Sequence, residues 1–174
     1  MEPTHTQASL DLNGRKPFNT AGIALGGLPT PITDWKGDTF LNGHVGRKHS
    51  QRIIDRYGAL SFGERDHKTR INRLNPEKPS YTIIVGSDAG GGKGHVHPYE
   101  PREVTPRESA RIQTFPDWWQ FSGTGRHIIR QVGNAVPPLF ASMLGSHVAK
   151  EVFGISKQPN FDDLVTKLQL TYLQ

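Results

Sequence analysis

Two stretches of this 174-residue chain carry residue types at spacings that can position a polar ligand. Gly133-Asn134-Ala135-Val136-Pro137-Pro138 reads as a tight turn feeding a helix. The free amides of a helix's first turn point back at such a turn, which suits a carboxylate or the polar edge of a cofactor. Thr105-Pro106-Arg107-Glu108 is a capping box, with Thr105 to cap the first turn and Glu108 to reach back to the cap amide. His95 and His97 share one face of any extended segment, but two imidazoles without a third or fourth ligand do not make a zinc site, and no metal is expected. The glycine-rich run at 86–94 holds Gly90, Gly91, Gly92 and Lys93 but fails as a P-loop, because Ser87 stands where a glycine is required and Gly94 where a hydroxyl is. With no cysteine in the chain, there is no thiol nucleophile.

The elements that must hold these residues follow from pattern. A helix begins at Pro106 and is short, because Pro116 drives Phe115 out of the helical region. On it Glu108 and Arg111 lie one turn apart and can pair, leaving Ala110, Ile112 and Phe115 to pack. Trp118, Trp119 and Phe121 read as a local core cluster, and residues 126–132 as an extended run into the turn at Gly133. Leu139, Phe140, Met143, Leu144, Val148, Val152 and Phe153 give a long apolar-striped helix stopped at Gly154, and a last amphipathic helix spans 160–173. Tyr81, Thr82, Ile83, Ile84 and Val85 make the clearest strand, bounded by Pro79 and Gly86. Residues 1–34 are irregular, with a short strand near Ile23 and a turn at 29–32.

Composition bounds the partners. The net charge is +5, and residues 44–73 alone hold eight Lys or Arg against three acids. A helix over 50–57 there buries Ile53 and Ile54 and turns Arg47, Lys48, Arg52 and Arg56 outward, as a surface that binds phosphates would. No apolar run approaches a bilayer span and no apolar signal segment opens the chain, so a soluble, cytoplasmic protein with no membrane contact is expected.

Residues 102–138 closely resemble the C-terminal part of the DNA (cytosine-5)-methyltransferases. Arg102, Thr105, Arg107-Glu108, Ala110-Arg111, Gln113 and Phe115-Pro116-Asp117 are similar to the family's ninth motif, and residues 130–138 to its tenth. Arg73-Leu74, Pro79-Ser80, Thr82-Ile83, Gly90 to Gly92 and His97-Pro98 look like the end of its target-recognition region. The resemblance implies an α+β arrangement: a small loop-rich recognition domain with short strands, then a helix that packs back on a Rossmann-like catalytic domain absent from this chain. The expected divisions are a linker-like 1–34, a recognition region at 35–101, the two motifs at 102–154 and a C-terminal helix at 155–174.

By the same resemblance, Asn134, Ala135 and Val136 line the S-adenosylmethionine pocket, which the catalytic part shares. Thr82, Ile83, Gly90, Gly91, Gly92 and Lys93 form a DNA recognition loop, joined on charge by Arg47, Lys48 and Arg70. Arg107, Glu108, Arg111 and Gln113 brace the domain rather than perform chemistry. Cytosine-5 methylation needs a thiolate to add to C6 of the base, and the family's Pro-Cys loop, Glu-Asn-Val segment and Gly-rich cofactor motif are missing here. The expected partners are double-stranded DNA and a catalytic subunit that carries the Pro-Cys loop, with no catalytic residue on this chain. Met1 suggests a separate reading frame, and an engineered piece whose added Met hides a cut stays open. A stand-alone DNA binder derived from a methyltransferase and a truncated, non-functional fragment are the alternatives.

Overall fold

The computed structural model describes residues 5–6, 16–33, 41–83 and 94–173. Among them helices dominate, and the expected α+β character shrinks to traces. Strands β1 (His5–Thr6) and β2 (Lys16–Pro17) pair in parallel over two residues each. Single bridges join Ile32 to Val45, Arg65 to Asn72, and Val96 to both Arg73 and Glu103. With 19 glycines and 13 prolines in the chain, long ladders are interrupted before they propagate.

The short strand expected near Ile23 is instead helix α1 (Ala21–Leu25), capped by Thr20, whose side chain accepts from the Ile23 amide. Helix α2 (Gln51–Gly58) lies where the basic segment predicted it. Its Tyr57, with Leu60, Ile71 and Val96, forms one small core against which Ile53 packs. The strand expected over 81–85 is not formed at Tyr81, Thr82 and Ile83, while residues 84 and 85 lie outside the described residues. Tyr81 is exposed and reaches the Gly63 carbonyl, whereas Ile83 turns into the core.

Helix α3 (Pro106–Ile112) carries the complete capping box, with the Glu108 amide donating to Thr105 Oγ1 at 3.1 Å and the Thr105 amide to Glu108 Oε2 at 2.7 Å. The extended run expected at 126–132 is helix α4 (Gly125–Asn134). Ile128, Ile129 and Val132 recur at helical spacing and pack with Ala110, Phe115, Phe121 and Ile83 in the largest core. Phe121 thus joins the core, but Trp118 and Trp119 remain 52% and 43% exposed, so the aromatic cluster is only partly interior.

Three residues separate α4 from α5 (Pro138–Phe153), which ends as predicted on Gly154 in the left-handed conformation at φ 66°. The final helix is shorter than expected: α6 (Phe161–Lys167) begins on an Asn160–Asp163 capping box and yields to a 3-10 turn at Thr171–Leu173. Leu164, Val165 and Leu170 fold under Leu139 at the start of α5. Tyr172 then donates to the carbonyls of Arg111 and Phe115, tying the C-terminal unit to α3.

Candidate nucleic-acid and cofactor-facing site

Helix α3 is the frame on which everything else hangs, and its polar side chains are buried. The pairing expected between Glu108 and Arg111 does not form. Glu108 instead takes a bidentate pair from Arg102, both contacts at 2.8 Å, and Arg102 also grips Glu100. Arg111 turns the other way, to Asp117 and to the Gly26 carbonyl at 2.7 Å. Burial works against both members of the first pair, yet the Arg102 hydrogen bonds win: the Glu108 carboxyl is held below its usual range and the Arg102 guanidinium above its own.

Arg107 is wholly buried and forms no ion pair among the described residues. Its guanidinium donates to the carbonyls of Asn42 (2.7 Å), Trp119 (2.7 Å) and Pro116 (3.2 Å) and lies over the Phe121 ring. Burial lowers its pKa, which leaves a guanidinium still charged at neutral pH. Asn42 completes the knot, its amide side chain exchanging hydrogen bonds with the main chain of Phe121. Nothing in the local sequence around Asn42 signals this role, since its partners lie 79 and 65 positions away.

The residues expected to meet DNA divide. Arg47, Lys48 and Arg70 are exposed, Arg70 with a positive φ of 63°. Arg47 leans on Glu103 at 3.3 Å. Arg56, predicted to face outward, is instead drawn 2.7 Å from the buried Asp66. Thr82 is exposed and its carbonyl accepts from His95 Nε2 at 3.1 Å. Ile83 sends its side chain into the core, so only its main chain is left for DNA. Gly90, Gly91, Gly92 and Lys93 lie outside the described residues. His95 and His97 are both buried and held below the usual imidazole range by that burial. His97 Nδ1 accepts from the amides of Tyr99 and Glu100, a structural role at the turn.

Between the main chain of residues 42–47 and the first turn of α4 opens a cleft of about 610 Å³. Arg47 from the one segment, Arg126 from the other and Gly94 all line it. Arg126 was not legible as a site residue, because Gly123 to Gly125 before it read as a turn into an extended run.

Asn134, Ala135 and Val136 are brought together where α4 gives way to α5. Gln113 Nε2 donates to the Val132 carbonyl at 3.2 Å and, more weakly, to that of Ala135 at 3.5 Å, so α3 fixes this corner. Asn134 and Val136 point outward, Val136 at 59% exposure. Along α5 the apolar side chains Phe140, Leu144, Val148 and Val152 continue that exposure at every fourth residue, with Phe153 and Ile155 beyond. A stripe with that spacing occupies one face of a helix. Its other side is used by Leu139 and Met143 against α6.

A family model for the C-5 cytosine-specific DNA methylases matches residues 32–150. The chain is similar to the type II methyltransferase M.NgoFVII of Neisseria gonorrhoeae, 34% identical over 145 residues that cover 79% of this chain and 37% of that protein. It is also similar to the type II methyltransferase M.AquIB of Picosynechococcus sp., 34% identical over 115 residues, which are 60% of this chain and 80% of that protein. A solved crystal structure from E. coli, described as a DNA modification methyltransferase encoded within a prophage, superposes with a TM-score of 0.58 at 26% identity, covering 92% of this chain and 47% of the other. The chain therefore spans less than half the length of M.NgoFVII and of the prophage protein. Among the described residues no helix is long and apolar enough to cross a membrane.

Proposed function

The chain belongs to the C-5 cytosine-specific DNA methylases, and from that premise we propose that it is the part of a split enzyme that recognises the DNA target and completes the cofactor pocket. The companion polypeptide carries the Pro-Cys loop and the nucleotide-binding fold, and the two act together on cytoplasmic DNA. The observation that carries this reading is the exposed edge formed by Asn134, Val136 and the α5 stripe, where the cofactor-side corner and an uncovered apolar face are continuous. A face of that kind on a helix end that is otherwise packed by α6 is the surface of an interface. The 80% coverage of M.AquIB adds support, since it means that a relative of comparable length exists.

The corner fits one rim of an S-adenosylmethionine site. Asn134 offers an amide that no described residue engages, Val136 offers an apolar side chain, and Gln113 holds the main chain at Val132 and, more weakly, at Ala135 between them. When bound, S-adenosylmethionine supplies a methyl group activated by its sulfonium. This chain's own residues orient and enclose. Asn134 and Val136 wall the cofactor, α3 with Arg102, Arg107 and Arg111 keeps the corner in register with the recognition segment, and the surface around Arg47, Lys48, Arg70 and Thr82 holds the opened duplex. The target base has to leave the stack to reach a nucleophile, and the recognition segment keeps the DNA in place while it does so. With no cysteine in the sequence, the thiolate comes from the companion.

Purified chain given duplex DNA and labelled S-adenosylmethionine transfers no methyl group, and adding a cysteine-bearing catalytic subunit restores transfer. Transfer by the chain alone overturns the proposal. Co-purification separates the other readings: a soluble protein that binds DNA but never joins a catalytic subunit is a stand-alone binder, and an insoluble one is a remnant.

A further inference from the structure

The cleft between residues 42–47 and α4 is built unlike the rest of the surface. Gly43, Gly46, Gly94, Gly123 and Gly125 line it, so much of its wall is bare main chain that a ligand can approach closely. Among the described residues its lining holds two cations, Arg47 and Arg126, and one acid, Glu103. That acid is already engaged, by Arg47 at 3.3 Å and by the Tyr57 hydroxyl at 3.2 Å. Arg126 is exposed and meets no acid among the described residues.

Arg126 is also in an unfavourable place for its own helix. It lies in the first turn of the ten-residue α4, where the aligned peptide dipoles present positive charge, and that turn contains no acidic residue to offset it. Among the described residues nothing offsets a cation there, and an anion lying in the cleft would. The lining also carries Arg47 from the basic segment, one of the residues expected to meet DNA.

We propose that this cleft seats a stretch of the DNA sugar–phosphate backbone, with Arg126 as a phosphate-binding residue together with Arg47. The inference rests on the reading that this chain grips duplex DNA, and adds to it a site that reads no sequence. Arg126 holds phosphate as a point charge, so Lys serves in its place and Ala does not.

The test is fluorescence anisotropy of labelled duplexes of several sequences titrated with the full chain across a salt series, using wild type, Arg126→Ala and Arg126→Lys. Losing one phosphate contact reduces the slope of log affinity against log salt by about 0.9, which corresponds to roughly eightfold weaker binding at 0.1 M salt. Arg126→Ala shows that loss equally on every sequence, and Arg126→Lys retains most of the binding. Because the side chain is exposed and opposes its helix dipole, Arg126→Ala is as stable as wild type by thermal unfolding. Wild-type affinity and slope in Arg126→Ala overturn the site while leaving DNA binding intact, and so does a loss confined to one sequence. A wild-type chain with no affinity for any duplex overturns the underlying reading as well.

Discussion

Removing Arg102 leaves Glu108 as a carboxylate that is 2% exposed and has lost both hydrogen bonds from its partner, keeping the one from the Thr105 amide and a 3.8 Å approach to His97 Nε2. Breaking a buried pair from one side costs about 3–5 kcal/mol, because the surviving charge is stranded. In Arg102→Ala this is joined by the loss of the Glu100 contacts, which lie partly in solvent and add little. With a urea m-value of about 2 kcal/mol/M, the midpoint of chemical unfolding therefore falls by roughly 1.5–2.5 M. Neutralising the stranded group relieves part of the damage, so the double variant Arg102→Ala/Glu108→Gln is less destabilised than the sum of its singles, with a coupling of about 2 kcal/mol. The control is Arg111→Ala with Glu108→Gln, which share no direct contact and add to within about 0.5 kcal/mol. Coupling of Glu108 to Arg111 in place of Arg102 would refute the pairing. The Glu108 carboxyl is held below its ordinary value of 4.5, so this stabilisation is complete above that pH and is lost as pH falls through the lower, folded value.

Replacing Phe140 and Leu144 together by Asp leaves the lone chain within about 0.5 kcal/mol of wild type, since both are already exposed, but abolishes the proposed assembly with a catalytic subunit in size-exclusion chromatography. A large loss of stability in the lone chain would mean that the stripe packs within it. Burial holds the His97 imidazole below its ordinary value of 6.5, and its Nδ1 lone pair is taken by two amides. The unfolded state therefore binds the extra proton first, and stability falls as pH drops below about 6.5, by up to about 1.4 kcal/mol per pH unit for this group. His97→Asn, which preserves an acceptor without titrating, flattens that dependence in urea titrations from pH 7.5 to 5.5, and an unchanged slope refutes the role. Gly154→Ala meets no neighbour within 4 Å yet sits at a φ of 66°, so it lowers stability by about 1 kcal/mol through backbone strain alone, read by thermal unfolding.

What was legible in the sequence was local. The capping box at Thr105 and Glu108 involves residues three apart, and the helix it starts formed where the pattern put it. Gly154 likewise marked the end of α5. Helix α4 was hidden because Gly123, Gly125 and Gly133 read as breakers, while burial of Ile128, Ile129 and Val132 against α3 overrode their propensity. The segment at 81–83 has the residue types of a strand, but a strand also needs a hydrogen-bonded neighbour, and none forms there among the described residues. Arginine partners were the least legible. Arg107 and Arg111 reach the carbonyls of Asn42 and Gly26, 65 and 85 positions away, which spacing does not encode, and Arg102 takes the Glu108 carboxylate that helical spacing had offered to Arg111.

Those acceptors are very often peptide oxygens. Arg107 holds the carbonyls of Asn42, Pro116 and Trp119, Arg111 that of Gly26, and Arg73 those of Gly58, Leu60 and Pro98. A peptide oxygen is the same whichever residue bears it. Loops fastened in this way tolerate wholesale exchange of their side chains without slackening, so the surface of such a scaffold can be rewritten while its frame stands still.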